Sequence, residues 1–370
     1  MGSIELRPFR IEQYYAEHEF TARYMLSSSD CESRTVGELL ELEPGAQDAL
    51  RELWCGYTES PGAPALRAEL AAGYDGLGPD DVLVTSCAEE GIFLGCHALL
   101  RPGDHAVVET PCYESALELS RSTGAEVSEW RRRHDDGWAY DLDELARLVR
   151  AATRLIYVNT PHNPTGSHLT HHELAGVIEI ARGCGAVLFC DEVYRDLEHE
   201  PELRLPAACE AYERAVSLGS MSKSLGLPGL RLGWLASRDR ALLEPVLDLK
   251  HYTTICSSAP SELLSTIALR NRRTLLDRNL EIVRGNLELL DDFFERRDDL
   301  FAWVRPSAGP IGFPRLAGDV DVEQLCASLV ASAGVLLLPG AVYDEPQHVR
   351  VGFGRHNMPE ALARLDEYLG

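Results

Sequence analysis

The sequence has little positive charge for its length. It has 35 lysine and arginine residues and 59 aspartate and glutamate residues, which gives a formal net charge of −24. Such a charge opposes nonspecific binding to nucleic acid or to anionic membranes, so we expect neither as a partner. No apolar run approaches the roughly 20 residues that a membrane span needs, and residues 1–10 lack the apolar segment of a signal peptide. We therefore expect a cytoplasmic protein.

Metal-ligand spacings, internal repeats and low-complexity segments are also missing from the sequence. The ten cysteines follow no metal-ligand pattern, and several, such as Cys96 and Cys190, lie in apolar runs. We expect reduced, mostly buried thiols and no metal site. The single basic run, residues 131–134, is bounded by Asp135 and Asp136 and is expected to be a solvated loop.

Short apolar runs alternate with helical patterns from Asp81 to about Ser237, which predicts a mostly parallel sheet covered by helices on both faces. The predicted strands are residues 82–85, 106–109, 126–130, 155–159, 186–190, 215–218 and 232–236. After Arg240 long helical stretches and shorter strands follow, including 302–305, 311–315, 335–338 and 349–352. We predict a large domain at residues 45–245 and a smaller α+β domain formed by residues 1–44 and 246–370.

The most informative segment surrounds Lys223, between residues 220 and 231. A lysine amine forms a Schiff base with a carbonyl where its pKa is lowered and its partner is held still. Small neighbours let a flat cofactor approach the backbone, and Ser220 and Arg231 suit a phosphate. Taken alone, the segment also fits an ordinary solvated lysine in a loop.

Two further clusters follow predicted buried strands. Residues 159–166 come after the apolar run 155–158, and a turn explains Pro164 and Gly166 but gives no reason for Asn159 and Asn163. Asp191 comes after the apolar run 186–189, at the strand end where α/β sheets bind ligands. A helix N-cap is the alternative interpretation of Asp191.

In this order the three clusters resemble the fold-type-I family of pyridoxal-phosphate enzymes, the aminotransferase class I/II group, and the resemblance extends from about residue 57 to residue 353. It implies an α/β fold with a mostly parallel seven-stranded sheet in a large domain and a smaller α+β domain. It also implies pyridoxal 5'-phosphate as cofactor, a small amino-acid substrate, and a homodimer with shared active sites.

The resemblance implies roles for individual residues. Lys223 carries the cofactor and moves the Cα proton, Asp191 pairs with the pyridine nitrogen, and Asn163 and Tyr194 bind the ring oxygen. Arg350, with Asn163 beside it, holds the substrate carboxylate. The other implied cofactor contacts are Ser220, Ser222, Arg231 and the backbone of Ala88 and Glu89 at the phosphate, Tyr113 stacked on the ring, and Tyr57 from the neighbouring subunit.

Three positions depart from what the family leads us to expect. Cys87 stands where the family often has glycine, which changes the turn before the phosphate-binding helix. Glu89 beside a phosphate is unfavourable unless its side chain points away. Arg195 follows Tyr194 and is expected either to change the charge of the pocket or to form a surface ion pair.

The serine loop at residues 27–29 is similar to the N-terminal substrate loop of capreomycidine synthases, which cyclise β-hydroxylated arginine in antibiotic biosynthesis. This resemblance implies a cyclase (a lyase) acting on 3-hydroxyarginine or, as in streptothricin-type pathways that build the streptolidine ring, on 3,4-dihydroxyarginine. Ser29, Asp30 and Glu32 are the predicted substrate contacts, although both acids also fit solvent-facing loop positions. An ordinary amino-acid aminotransferase with a 2-oxo acid acceptor is the alternative.

Overall fold

A seven-stranded sheet forms the centre of the protein in the computed structural model, which describes residues 6–370. Its strands are β1 (Val82–Thr85), β2 (His105–Thr110), β3 (Glu126–Arg131), β4 (Thr153–Asn159), β5 (Val187–Asp191), β6 (Ala215–Ser220) and β7 (Gly233–Ala236). Their order is β1-β7-β6-β5-β4-β2-β3, and only β7 runs antiparallel to its neighbours. The predicted α/β fold and all seven predicted strands are confirmed, with bounds that differ by at most two residues.

Short strands follow the central sheet along the chain. They are β8 (Phe301–Ala302), β9 (Ile311–Gly312), β10 (Arg315–Leu316), β11 (Leu338–Pro339) and β12 (Val349–Gly352). They form a three-stranded sheet in the order β11-β12-β9 and a two-stranded sheet of β10 and β8. The predicted strands at 302–305, 311–315 and 335–338 were too long, in the case of 311–315 because Pro314 cannot donate to a ladder.

Helices cover the sheet and continue beyond it. They are α1 (Arg10–His18), α2 (Val36–Leu40), α3 (Ala46–Arg51), α4 (Pro64–Ala71), α5 (Ala88–Leu99), α6 (Glu114–Ser122), α7 (Leu142–Leu148), α8 (His171–Cys184), α9 (Ala208–Ala211), α10 (Arg240–Lys250), α11 (Ala259–Arg270), α12 (Arg272–Arg296), α13 (Val322–Ala333) and α14 (Met358–Leu369). Within residues 6–370, no helix combines the length and the hydropathy that a membrane crossing requires.

Local sequence signals fix the ends of several helices. Thr170 and Glu173 form the predicted capping box of α8, in which the Thr170 hydroxyl accepts from the Glu173 backbone at 3.2 Å. The same helix ends at Gly185, whose φ of 71° is a left-handed conformation that glycine adopts without a steric penalty. The side chain of Asp321 caps α13 in the same way, by accepting from the backbone of Gln324.

Alternate residues of the central strands point to opposite faces, and each face packs against its own layer of helices. Val107 of β2 and Ile156 of β4 belong to one apolar cluster, together with Leu145 of α7 and Val177 of α8. Leu155, next to Ile156, belongs to the cluster on the other face, against α5 and α10. Burial on both faces explains why these strands read as continuous apolar runs in the sequence.

The chain near the N-terminus packs beside β12. Tyr24 bridges to Val335, and the backbone N–H of Gly352 donates to the Leu26 carbonyl at 2.9 Å. A Cβ atom at Gly352 would lie 1.9 Å from the Ser28 carbonyl oxygen, so only glycine allows this approach. The packing brings the serine loop to the end of the central sheet. The proposed division into domains 45–245 and 1–44 with 246–370 stays a prediction.

The basic run at residues 131–134 is not a solvated loop throughout, which corrects the expectation from sequence. Arg132 is 1% exposed, and its Nη1 donates to Oε1 of the equally buried Glu109 at 2.7 Å. The second carboxylate oxygen of Glu109 accepts from the backbone of Asn159 at 2.9 Å. The chain turns inward after β3, so this buried ion pair ties the ends of β2, β3 and β4 together. The neighbouring residues of the run could not reveal that burial.

Replacing Arg132 with methionine should destabilise the protein strongly, because Glu109 would be left buried without its cation. The expected loss is about 3–5 kcal/mol in the free energy of unfolding, measured by urea denaturation. The matched control is Arg133→Met, since the Arg133 side chain is 54% exposed and its loss should cost about 0.5 kcal/mol or less. Equal midpoints for the two variants would contradict a structural role for the buried pair.

Candidate active site

A cavity of about 520 Å³ opens at the carboxyl ends of β4, β5 and β6. Asn159, Asp191 and Ser220, the final residues of these strands, all line it. This edge is where α/β sheets bind ligands. The predicted site residues that line the cavity are Ser29, Asp30, Ala88, Glu89, Tyr113, Asn163, Asp191, Tyr194, Ser220, Ser222, Lys223, Arg231 and Arg350.

Lys223 follows β6 and reaches the cavity, where its Nζ donates to the Ser29 hydroxyl at 2.9 Å. Burial lowers the pKa of Lys223, and the nearby charge of Arg350 lowers it further, whereas the carboxylates of Asp30 and Asp191 oppose the shift. A lowered pKa increases the share of neutral amine, which is the form that attacks a carbonyl.

Asp191 ends β5 with its carboxylate inside the cavity. One oxygen accepts from the Tyr157 hydroxyl at 3.1 Å and the other from the backbone of Val193 at 3.2 Å. Burial raises the pKa of Asp191 to about 6 even though both donors favour the charged form. A cationic ring nitrogen beside it would restore the carboxylate. The role of Tyr157 could not be predicted from the sequence, because the residue lies inside a strand whose apolar pattern indicates core.

Arg350 is a buried guanidinium that is surrounded by neutral acceptors. It is 2% exposed and donates to the Ser27 carbonyl, the Asn163 amide oxygen, and the hydroxyls of Tyr15 and Tyr343. No carboxylate lies within ion-pair distance of it among residues 6–370. A buried cation that is held only by dipoles is suited to bind an anionic ligand.

The bonds to Asn163 fix the orientation of its side-chain amide. An arginine has only donors, so the atom that faces Arg350 at 3.1 Å must be the amide oxygen. The same oxygen accepts from Tyr343, and the backbone of Asn163 donates to Asn159 Oδ1 at 2.7 Å. The amide nitrogen of Asn163 is therefore directed away from Arg350 and is available to donate to a ligand oxygen.

The first turn of α5 faces the cavity. The leading N–H groups of a helix have no intrahelical acceptor, so those of Ala88 and Glu89 can bind an anion. Cys87, the predicted departure, has φ −175°, an extended conformation that any residue adopts, and its Sγ accepts from the Glu90 backbone. The Glu89 carboxylate accepts from the Ser115 hydroxyl at 3.1 Å, and burial raises its pKa to about 7.

Three polar residues at the end of β6 and in the segment after it complete this side of the cavity. The Ser220 hydroxyl accepts from the Ser222 backbone at 3.0 Å. Arg231 lies at the exposed rim with a left-handed φ of 48°, a strained conformation for a residue other than glycine.

Two tyrosines, Tyr194 and Tyr113, also line the cavity. The Tyr194 side chain is buried, and its hydroxyl, although near Ser29, makes no hydrogen bond among the described residues. Its buried hydroxyl therefore lacks a partner that a ligand oxygen would supply. Tyr113 packs on Phe9 with ring centroids 5.0 Å apart and donates to the Glu12 carboxylate at 2.9 Å.

The two predicted acids of the N-terminal loop have different positions. Asp30 lines the cavity, but both of its oxygens accept from Arg355, at 2.9 and 3.0 Å. The Glu32 carboxylate accepts from the backbone of His356 and does not line the cavity. Arg355 lies 325 residues from Asp30 along the chain, so the sequence could not reveal that the Asp30 charge is already neutralised.

Several residues that line the cavity were not identified from the sequence. Glu12, Tyr15 and Glu19 belong to or directly follow α1, a helix for which the sequence gave no motif. Their spacing of three and four residues is that of one helix face, which is the only signal that could have indicated them.

Two other expectations concern residues outside the cavity. Tyr57 is 85% exposed and does not line the cavity of its own chain. Arg195 does not line it either: its guanidinium lies over the Tyr74 ring and within 3.7 Å of the Glu210 carboxylate. Arg195 therefore forms an ion pair away from the cavity, and the alternative that it changes the charge of the pocket is wrong.

The donors and acceptors of the cavity fit a phosphorylated aromatic aldehyde. It offers an amine at Lys223, an acid at Asp191 for a ring nitrogen, an unpartnered hydroxyl at Tyr194 for a ring oxygen, and a helix N-terminus with Arg231 for a phosphate. These groups and the sheet that positions them define the class of pyridoxal-phosphate enzymes.

Comparison with known proteins agrees with this class. The family "Aminotransferase class I and II" matches residues 26–365. Capreomycidine synthase of Streptomyces vinaceus is 33% identical over 97% of this chain and 93% of its own. A solved pyridoxal-phosphate-dependent aminotransferase of Streptococcus suis, 32% identical, superposes with a TM-score of 0.94 over 99% of this chain and 98% of its own. The solved pyridoxal-phosphate-dependent cyclase OrfR, 30% identical, superposes with a TM-score of 0.91 over 100% and 98%.

The chain belongs to the aminotransferase class I and II family. It is a pyridoxal 5'-phosphate enzyme, as the residues of the cavity indicate.

The two lysines of the sequence, Lys223 and Lys250, provide an internal test of the reactive amine. Lys250 is fully buried and bonded to the Ser60 carbonyl, and it does not line the cavity. Borohydride reduction of the pyridoxal-phosphate-treated protein, followed by peptide mapping, should therefore label Lys223 alone. Lys223→Ala should remove the label and the visible cofactor absorption. A label on the Lys250 peptide, or a labelled Lys223→Ala protein, would contradict the assignment.

Proposed function

We propose that this enzyme is a cyclase that acts on a β-hydroxylated arginine, either 3-hydroxyarginine or 3,4-dihydroxyarginine, in antibiotic biosynthesis. The hydrogen bond between Lys223 and Ser29 carries the proposal, because it brings the serine loop to the reacting amine at 2.9 Å. The similarity to capreomycidine synthase and to a pyridoxal-phosphate-dependent cyclase supports the same reaction class. The streptolidine-forming type of ring closure is included in this proposal.

The cofactor roles follow from the cavity. Pyridoxal phosphate, when bound, supplies an aldehyde for an amine and a cationic ring that withdraws electrons from Cα. Asp191, held by Tyr157 and Val193, would face the ring nitrogen. Tyr194 and the amide nitrogen of Asn163 would donate to the ring oxygen, and Tyr113 would stack on the ring. Ser220, Ser222, Arg231 and the N–H groups of Ala88 and Glu89 would hold the phosphate.

Arg350, Lys223 and Ser29 have separate roles in the proposed reaction. Arg350 binds the α-carboxylate of the substrate as a bidentate fork. Lys223, with its lowered pKa, removes the Cα proton and later returns it. The Ser29 hydroxyl beside Lys223 assists the departing 3-hydroxyl. The Cβ–O bond breaks, a guanidine nitrogen forms a new bond to Cβ, and one water leaves, so the reaction needs no oxidant or reductant.

Exposed aromatic residues near the cavity support a homodimer with shared sites. Trp54, Tyr57 and Tyr252 are 79%, 85% and 90% exposed. Thr58 donates to the Ser257 carbonyl, and Thr253 donates to Glu90 in the first turn of α5, so these segments lie beside the phosphate-binding end. Apolar surface of this kind suits a second copy of the chain, and Tyr57 would reach the cofactor of that copy. A cytoplasmic location stays a prediction.

An amino-acid aminotransferase is the second candidate, since the aspartate aminotransferase of Thermotoga maritima is 28% identical over 88% of both chains. The holoenzyme should convert 3-hydroxyarginine or 3,4-dihydroxyarginine into a product that is lighter by one water, measured by mass spectrometry, while the cofactor spectrum returns to its starting state. A 2-oxo acid product and a lasting change of the cofactor to its amine form would instead establish transamination.

Arg350→Lys should weaken binding of an amino acid by about 10- to 100-fold, because an ammonium cannot replace a bidentate fork. Affinity for pyridoxal phosphate should change by less than about threefold, since the assigned role of Arg350 is to hold the substrate. Both quantities are measured from the visible absorption of the enzyme. Equal losses for amino acid and cofactor would refute the carboxylate role.

A further inference from the structure

We propose that Glu12 and Glu19, on the cavity face of α1, receive the cationic end of the substrate side chain and so determine substrate specificity. The inference rests on the proposed function and names the residues that would select its substrate. It concerns two acids that the reaction itself does not use.

Most of the charged residues that line the cavity already have an ion-pair partner or a proposed role. The acids that line it are Glu12, Glu19, Asp30, Glu89 and Asp191, and the bases are Lys223, Arg231, Arg350 and Arg355. Asp30 is paired with Arg355. The proposed function assigns Asp191, Lys223, Arg231 and Arg350 to the cofactor and to the substrate carboxylate. Three acids remain, and none of them forms an ion pair among residues 6–370.

Of these three acids, Glu89 differs from the other two. Its carboxylate accepts from the buried Ser115 hydroxyl, and burial raises its pKa to about 7, so it can become neutral without a cation. Glu12, whose carboxylate accepts from the Tyr113 hydroxyl at 2.9 Å, and Glu19 lie at the exposed mouth of the cavity instead. Burial raises the pKa of Glu19, and the charges of Glu12 and Asp30 raise it further, whereas Arg355 and Lys223 oppose the shift. A cation bound beside Glu12 and Glu19 would favour their charged forms.

The position of α1 relative to Arg350 is fixed by contacts of two residues of the helix, Arg10 and Tyr15. Arg10 at the start of the helix pairs with Glu114 and with Asp344, each at 2.8 Å. Tyr15, which lies between the two acids on the same face, donates to the Ser27 carbonyl and accepts from Arg350. Glu12 and Glu19 therefore lie on either side of Tyr15, the residue of this segment that contacts Arg350. A substrate whose carboxylate is held by Arg350 would have both acids near it.

An independent observation shows that the cavity is prepared for a ligand. Tyr194 is 2% exposed, lines the same cavity, and its hydroxyl has no hydrogen-bond partner among the described residues. The acids at the mouth line the same cavity as this buried hydroxyl, which distinguishes them from acids on the open surface. Their charge favours a guanidinium and opposes the second carboxylate of a dicarboxylic amino or oxo acid.

The test compares two amino acids of the same length that differ in side-chain charge. L-Arginine and L-citrulline are titrated into the holoenzyme, and binding is followed by the change in cofactor absorption, which does not require turnover. The native enzyme should prefer L-arginine by about tenfold or more, the range expected for one charge-assisted hydrogen-bonded pair. Glu12→Gln and Glu19→Gln should each reduce the preference, and the double variant should abolish it without changing the affinity for L-citrulline.

Glu17→Gln is the matched control, because it removes the same charge from the same helix. The Glu17 side chain is 76% exposed and does not line the cavity, so this variant should keep the preference for L-arginine. A double variant that keeps the preference, or a native enzyme that has none, would overturn the inference. If the preference is present and lost as expected but hydroxyarginines are not cyclised, the proposed reaction fails and the assignment of Glu12 and Glu19 stands.

Discussion

The cavity removes ionisable groups from water, and this loss of solvation shapes the whole site. Burial opposes the charge of both Lys223 and Asp191. Each is held by neutral donors or acceptors rather than by a tight ion pair, Lys223 by Ser29 and Asp191 by Tyr157 and Val193. Neutral partners orient both groups without an ion pair, so the Lys223 amine can become neutral and the Asp191 carboxylate stays available for a cationic ring nitrogen.

The buried pair of Glu109 and Arg132 supports the cavity from below. It joins the ends of β2 and β3, and Glu109 also accepts from the backbone of Asn159, the last residue of β4. Asn159 in turn holds the loop that carries Asn163, whose amide oxygen accepts from Arg350. The buried ion pair, the loop and Arg350 therefore form one connected network of hydrogen bonds, which couples the stability of the sheet to the geometry of the site.

Much of the fold could be predicted from sequence, and the reason is local. The strands of the central sheet are buried on both faces, so they appear as continuous apolar runs, and capping residues such as Thr170 mark the starts of helices. The short strands after residue 300 were predicted less well, because strands such as β9 and β10 contain only two residues each and depend on distant partners. The departure at Cys87 proved compatible with the turn because its backbone is extended.

The sequence by itself determined the reactive groups and their order: an amine after β6, an acid at the end of β5, and an amide in the turn after β4. Their positions follow from strand ends, which local patterns reveal. Only the tertiary structure decided which acids line the cavity without an ion pair. Asp30 is neutralised by Arg355, which lies 325 positions away along the chain. Glu12 and Glu19 reach the cavity because α1, a helix without a sequence motif, packs against distant parts of the chain such as Asp344.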